Sequence, residues 1–513
     1  MKKMELVPCA GNFLVKYTVK IMCVLFCSLL LYGCAQKAPS ADYINFIYSS
    51  QSEKEAAFLM SIFNREDFSA YGLHLLPEES ETPLVPAIYV EFFYSWENQT
   101  ESDDIIITKN IFIPVDDVLA GRLNTSFQAC IDGRETLIQV DEIVPPFTAL
   151  RVNGLALGDE GYPLVWVTGA RIRVDENVRT SRLFSENLSR LKNAFASAPK
   201  PDVQSMPDIL WITAGGDTML ERGATEALLL DGPASIFGRT APMIASADVA
   251  LLNLEGVVSA KGVRVPKSYN FRFIPEVAPA LKAAGIDAVL HANNHVFDYG
   301  MDAFLDSLHN LKQAGIGVVG AGINDDEASD PYVYRKGEDV VRVFGLASFP
   351  REGNGWDGET AAAGPDIAGM LHARRGGVDK LKSKMSANDQ SINIVFFHGG
   401  IEWSTRPDAA TRQLYTDLIA SGADLIIGTH PHIVQGFEWV MGKPVFWSIG
   451  NYVFGQMNGY YTGDEGLFIR LGYYHGRPVY IEPYPIFLDD IRTDIVSHDN
   501  LDVFYARSRD LRR

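Results

Sequence analysis

Beyond residue 207 the chain repeats one pattern: short apolar runs end in polar clusters, and helical segments stop at glycine. "IPEVAPALKAAG" reaches Gly285, "DAFLDSLHNLKQAG" reaches Gly315 and "AATRQLYTDLIASG" reaches Gly422. Glycine enters the left-handed conformation of a helix C′ position without a Cβ clash, so each of these residues closes a helix. Apolar strands follow directly. The alternation specifies an α/β domain over residues 208–490, with helices packed on sheet faces, and leaves 491–513 as a C-terminal tail.

The earlier part of the chain reads differently. From residue 43 to about 174, β-rich runs such as "YINFIYS", "AIYVEFFYS" and "YPLVWVTGARIRV" alternate with polar turns, and a helical stretch follows near residues 181–196. Residues 43–196 therefore form a smaller, β-rich α/β or α+β domain, in which no metal or nucleophile cluster stands out. The segment "SAPKPDVQSMP", residues 197–207, carries three prolines and little apolar content, which marks a linker.

At the start, Lys2, Lys3, Lys16 and Lys20 precede the apolar stretch Ile21 to Leu31, too short to span a bilayer comfortably. The run ends in Leu31-Tyr32-Gly33-Cys34 and resembles a bacterial lipobox, with Tyr32 an unusual residue in it. That resemblance implies a signal peptide over 1–33, lipidation of Cys34 and a short tether to residue 42. The body of the protein is then expected in the cell envelope, anchored to a membrane and facing the periplasm or exterior. Cys9, Cys23 and Cys27 would leave with the signal, so Cys130 alone remains, and it reads as a small packed side chain.

A formal net charge of −19 argues against a surface built to coat nucleic acid, which needs clustered Lys and Arg. The histidines are distributed unevenly. Five of the ten, His291, His295, His398, His430 and His432, fall in the polar strings that end strands of the second domain. With them come Asp217, Asn253, Glu255, Asn293, Asn294, Asp298, Glu402 and Asn451. Open α/β sheets build their sites at the carboxyl ends of strands. In "GTHPHIVQG" the proline is expected to hold His430 extended, so that His430 and His432 present both imidazoles to one side; the alternative is a polar turn.

Asp, Glu and Asn together with three histidines make a mixed oxygen and nitrogen donor set. It suits Zn, Mn or Fe better than Ca or Mg, as one ion or two that share an aspartate. Other readings stay open at single positions: Asp217 as a turn or N-cap residue, Asn294 and His295 as a satisfied polar network. Glu402 is read as a partner that orients His398, and His291 as structural. No GxSxG elbow, Walker loop or HExxH string is present, and no GxGxxG follows a strand.

In order, "GGDTML", "NLEG", "ANNHVFDYG", "HGGIEW", "GTHPHIVQG" and "SIGNYVF" resemble the bacterial capsule-synthesis CapA family, associated with poly-γ-glutamate synthesis or export. The resemblance covers roughly residues 208–487 and implies a calcineurin-like metallophosphatase αβ-sandwich. It also implies metal ligation by Asp217, Glu255, Asn294, His398, His430 and His432, with His295 facing substrate beside Asn294. Asn253, Asn293, Asp298, Glu402 and Asn451 would support them. Metallophosphatases usually carry a histidine two residues after the first aspartate, where this chain has Met219. The implied partners are an anionic polymer, or a phosphorylated or γ-glutamyl substrate, and other capsule-synthesis proteins. Catalytic and purely assembly-related roles both fit.

Overall fold

In the computed structural model the described residues are 207–511, apart from 353–355, 386–390, 456–462 and 497–500, and, before them, 44–49, 73–77, 87–96, 105–111, 113–117, 124–131, 134–139, 142–145, 147–157, 159–160, 162–174, 189 and 193. The expected signal peptide, Cys34 and most of the linker lie outside these residues. Among them no helix is long and apolar enough to cross a membrane. The chain divides into two compact units.

The first unit holds a five-stranded sheet of β1 (Ile44–Ser49), β2 (Leu73–Pro77), β3 (Ala87–Trp96), β4 (Ile105–Ile111) and β5 (Val165–Val174). Its order is β2-β1-β3-β5-β4, with β1 parallel to both neighbours and β5 antiparallel to both of its own. Cys130 is buried and forms no disulfide among the described residues.

The second unit is built on two sheets. One contains β6 (Leu210–Met219), β7 (Val249–Leu254), β8 (Ala288–Leu290) and β9 (Gly317–Val319), all parallel. The other contains β10 (Tyr332–Lys336), β11 (Asp339–Ser348), β12 (Ile392–Gly399), β13 (Leu425–Thr429), β14 (Val434–Val440) and β15 (Lys443–Ile449) in the order β10-β11-β12-β13-β15-β14. The first sheet is extended by β16 (Asn451–Phe454), β17 (Glu465–Tyr474), β18 (Arg477–Asp489) and β19 (Arg492–Ile495); β16 and β17 both pair with β6.

Period-two alternation explains the layering. Leu210, Ile212 and Ala214 of β6 and Val249 and Leu251 of β7 meet Val341, Ile392, Ile394, Leu425 and Ile427 of the other sheet in one core. Ala250, Leu252 and Leu254 face outward, onto α1 (Ala224–Asp231) and α2 (Val277–Ala283). The outer face of the second sheet packs on α4 (Ala409–Ala420), α3 being Gly300–Gln313; there Tyr415 stacks on Trp447 with centroids 4.9 Å apart. Each such buried aromatic contributes about 1.5–3 kcal/mol through area removed from water. The αβ-sandwich expected from the family resemblance is therefore present. Gly285, Gly315 and Gly422 all have positive φ just beyond their helices, as the sequence requires.

Two boundaries differ from the sequence reading. The strand Phe147–Ala149 packs with the second unit, where Ile481 of β18 donates its N–H to Thr148 Oγ1 at 2.8 Å. Residues 491–513 are not a mere tail: β19 completes a sheet edge, and Phe504 and Tyr505 of α5 (Leu501–Leu511) enter the inter-sheet core. Both contacts join segments distant in sequence, which windowed periodicity does not register.

Candidate metal centre

Strand β6 positions the hub. A register shift between Gly215 and Asp217 marks a bulge, and a Cβ on Gly216 would lie 1.9 Å from the Gly450 carbonyl oxygen, so only glycine fits there. Asp217 then donates its own N–H to that same carbonyl at 3.0 Å, and its fully buried carboxylate turns into the cluster. It is thus a strand residue, neither a turn nor an N-cap. Oδ1 accepts from Asn253 Nδ2 at 2.7 Å, and Oδ2 accepts the His430 backbone N–H at 3.1 Å.

On one side of Asp217 stand His398, His430 and Asn294. His398 Nε2 lies 3.1 Å from both His430 Nδ1 and Asn294 Oδ1, while its Nδ1 is 3.0 Å from Asn253 Nδ2 and 3.2 Å from Thr429 Oγ1. Burial, and then the neighbouring imidazoles, hold His398 and His430 well below the ordinary histidine range. Neutral imidazoles offer lone pairs, as metal ligation demands. Phe349 packs against both rings, at 6.0 and 5.5 Å.

On the other side stand Glu255, His432 and His295. His432 Nδ1 lies 2.8 Å from Asn451 Oδ1 and 3.3 Å from Asp217 Oδ2, and its Nε2 is 3.9 Å from Glu255 Oε1. Burial opposes a charge on His432, but the Glu255 carboxylate and the Asp217 hydrogen bond overcome it and push its pKa up to about 10. Burial, then repulsion from Asp217, raise Glu255 well above the usual carboxylate range. Both Glu255 oxygens are buried with no hydrogen-bond partner among the described residues. A buried carboxylate without donors is costly unless a cation completes it.

Asp217, Glu255 and His398 each offer a ligand atom within 4.8 Å of the others, so the trio can hold a metal ion. The oxygen and nitrogen donors on both sides fit a divalent ion.

The two histidines around Pro431 correct one expectation. His430 is not extended: φ is 92° there and 57° at His432, and their rings stand 6.2 Å apart, on opposite sides of Asp217. The chain turns sharply at the end of β13 so that the His430 N–H can reach Asp217, and this outweighs the steric preference before proline. Glu402 is a second correction. Its residue is exposed, and the hydrogen-bonding atoms around His398 belong to Asn253, Thr429, Asn294 and His430.

The remaining expected residues do converge. Asp298 Oδ2 lies 2.6 Å from His295 Nδ1 and accepts the Phe271 N–H at 2.7 Å. Asn293 donates to Asn253 Oδ1 at 3.1 Å and accepts from the His295 N–H at 3.1 Å. His291 lies apart, stacked on Phe304 and within 3.0 Å of Ser307 Oγ, consistent with a structural role.

Sequence reasoning missed Lys267. Its buried ammonium lies 2.5 Å from the Asn294 carbonyl oxygen, 3.0 Å from Asp298 Oδ1 and 3.0 Å from Glu352 Oε1, and 4.4 Å from the Trp356 ring centroid. It sits in the "VPKSYNFRF" loop, with no strand end to flag it. Trp403, next to Glu402 in "HGGIEW", stands 5.2 Å from the His432 ring, and nothing in the sequence pattern distinguishes it.

Residues 211–456 match the model of the bacterial capsule synthesis protein PGA_cap. Over this region the chain is similar to that family. Over 264 residues it is 28% identical to the PGA biosynthesis protein CapA of Bacillus subtilis, covering 51% of this chain and 67% of that one. It is 28% identical over 259 residues to the capsule biosynthesis protein CapA of Bacillus anthracis, covering 48% and 60%. A probable polyglutamine synthesis accessory protein of Mycobacterium tuberculosis is 27% identical over 287 residues, covering 48% and 75%. The PGA_cap region contains every residue assigned above to the metal centre, whereas the first unit lies outside it.

Proposed function

We propose that this protein is an accessory factor in the synthesis, export or anchoring of an anionic, poly-γ-glutamate-like capsule polymer. It is held in the cell envelope by a lipid on Cys34, and its PGA_cap domain works as a metal-dependent hydrolase. The observation that carries the hydrolase reading is Glu255: two buried carboxylate oxygens without donors, beside Asp217 and three imidazoles. The match to the PGA_cap model and the names of the relatives support the capsule context.

Asp217, Glu255, Asn294, His398, His430 and His432 would hold one or two divalent ions. When bound, such an ion supplies Lewis acidity toward a phosphoryl or acyl oxygen and activates water. Asn451 fixes the His432 ring through Nδ1 and leaves Nε2 directed toward Glu255. Asp298 does the same for His295, whose Nε2 lies 3.8 Å from Glu255 Oε1. Burial lowers the His295 pKa, so Nε2 is free to take up a proton from an attacking group and return it to a departing oxygen or nitrogen. Phe271, 4.2 Å from the His295 ring, and Phe454, 5.1 Å from His432, keep water from these rings.

Metal analysis of the full chain, paired with hydrolysis of bis(p-nitrophenyl) phosphate and γ-glutamyl p-nitroanilide, tests this. Stoichiometric Mn, Zn or Fe and turnover, both lost in Asp217→Ala and His432→Ala, are expected. A metal-free wild type that still supports capsule formation would overturn it. A second reading, a non-catalytic assembly factor, is favoured by one observation: Met219 is fully buried in the apolar core and supplies no ligand. Metal bound without turnover of either substrate would select that reading.

A further inference from the structure

Outside the metal centre, the second unit has a cavity of about 550 Å³ whose lining includes Arg222, Arg272, Glu226, Leu229, Leu230 and Ile274. Its two arginines differ from most of the domain's cations. Lys261, Lys282 and Lys443 sit in ion pairs with Asp306, Asp287 and Asp424. Arg222 and Arg272 have no carboxylate partner among the described residues, on a chain of 64 acidic and 45 basic residues. Each is held by other means. Arg222 donates to the Gly455 carbonyl and stands 5.8 Å over the Phe271 ring; Arg272 stands 4.1 Å over the Tyr299 ring. The Arg272 N–H is taken by Glu221 Oε1 at 2.8 Å, which ties the two arginine-bearing segments together.

The backbone at Arg222 is left-handed, φ 59°, followed by Gly223 at 97°. A long side chain in that region costs energy and persists only where its surroundings impose it. The wall beside the arginines is apolar and wet: Leu230 is 75% exposed and Ile274 47%. Phe271 connects this cavity to the metal centre, since its ring touches both Arg222 and His295.

We infer that this cavity is the strand-binding subsite for the anionic polymer, with Arg222 and Arg272 holding successive carboxylates. The inference rests on the polymer reading above. A γ-linked glutamate chain carries one free α-carboxylate and two backbone methylenes in each repeat. Guanidinium groups bind carboxylates with two parallel donors. The methylenes lie on Leu229, Leu230 and Ile274, removing exposed apolar area from water.

Fluorescence anisotropy of a fluorescein-labelled, γ-linked glutamate decamer with the full chain in detergent decides it. The decamer binds, added salt weakens the complex, and the decamer with amidated α-carboxylates does not bind. Arg222→Met and Arg272→Met each weaken binding by about tenfold or more, at unchanged metal content. Glu226→Gln, which removes a repelling carboxylate from the lining, tightens it by about two- to fivefold. Should Arg222→Met misfold, the Arg272 and Glu226 variants still decide. Wild-type affinity in all three variants would overturn the subsite and leave the polymer reading standing. Failure of the wild-type chain to bind the decamer would overturn both.

Discussion

The two sides of Asp217 use the same side chain in opposite ways. Around His398 and His430, imidazoles crowd one another at 3.1 Å, and burial keeps them neutral. Around His432, two buried carboxylates outweigh the same burial and hold a proton on the ring. Desolvation disfavours charge on both sides, so the sign of the nearest charge decides each protonation state. One side is ready to ligate a metal as it stands. On the other a cation would have to displace that proton, and uptake there would depend on pH.

The sharpest way to break this comparison is to remove the histidine that balances the carboxylates. His432→Ala leaves Asp217 and Glu255 facing each other, and the metal-free protein is expected to lose about 3–5 kcal/mol, read by chemical denaturation. A loss below about 1 kcal/mol would mean that no charge resides on His432. Adding Glu255→Gln to that variant should restore about 1–3 kcal/mol, because the repulsion is gone and the amide brings its own donors.

Titration sharpens the comparison next. His432 has a folded pKa of about 10, above its unfolded value, so its stabilisation is complete below about pH 6.5 and is lost as pH rises toward 10. His398 and His430 have lowered folded values, so they destabilise the protein as pH falls below about 6.5, where the unfolded chain takes up protons that the native state refuses. His291, lowered to about 4 by burial, adds on the order of 3 kcal/mol of loss between those values. Metal-free stability should peak near pH 6.5, and a denaturation series at several pH values checks it. A plateau from pH 7 to 10 would contradict the charged His432.

Smaller effects complete the set. Met219→His, tested because the sequence lacks a ligand there, should cost about 1–3 kcal/mol and add no metal, since that side chain points into an apolar core. Metal analysis showing a gain would place residue 219 in the centre. His430→Ala should cost the metal-free protein only about 1 kcal/mol, because Asn294 still faces His398 Nε2 and the His430 backbone N–H still serves Asp217.

Much of the site was legible because strand ends announce themselves. An apolar run ending in Asp217, Glu255, His398 or His430 carries its own register, and parallel pairing brings neighbouring ends together. The supporting asparagines were legible for the same reason. Lys267 and Trp403 were not, because they arrive on loops whose paths depend on contacts with Asn294, Asp298 and Pro431. Glu402 misled because nearness in sequence to His398 does not keep a residue beside it once the strand ends at Gly399.

The sequence alone determined the helix stops at Gly285, Gly315 and Gly422, the inward and outward faces of the strands, and the donor types at their ends, because these depend on local conformation and period-two alternation. Only the tertiary structure decided that two sheets share one core, that residues 491–511 help to close it, and that His430 and His432 take opposite sides of Asp217. Those outcomes rest on contacts between distant segments. The Asp217 carboxylate, drawing in the backbone at His430 from 213 residues away, overrides the extended geometry that Pro431 favours by itself.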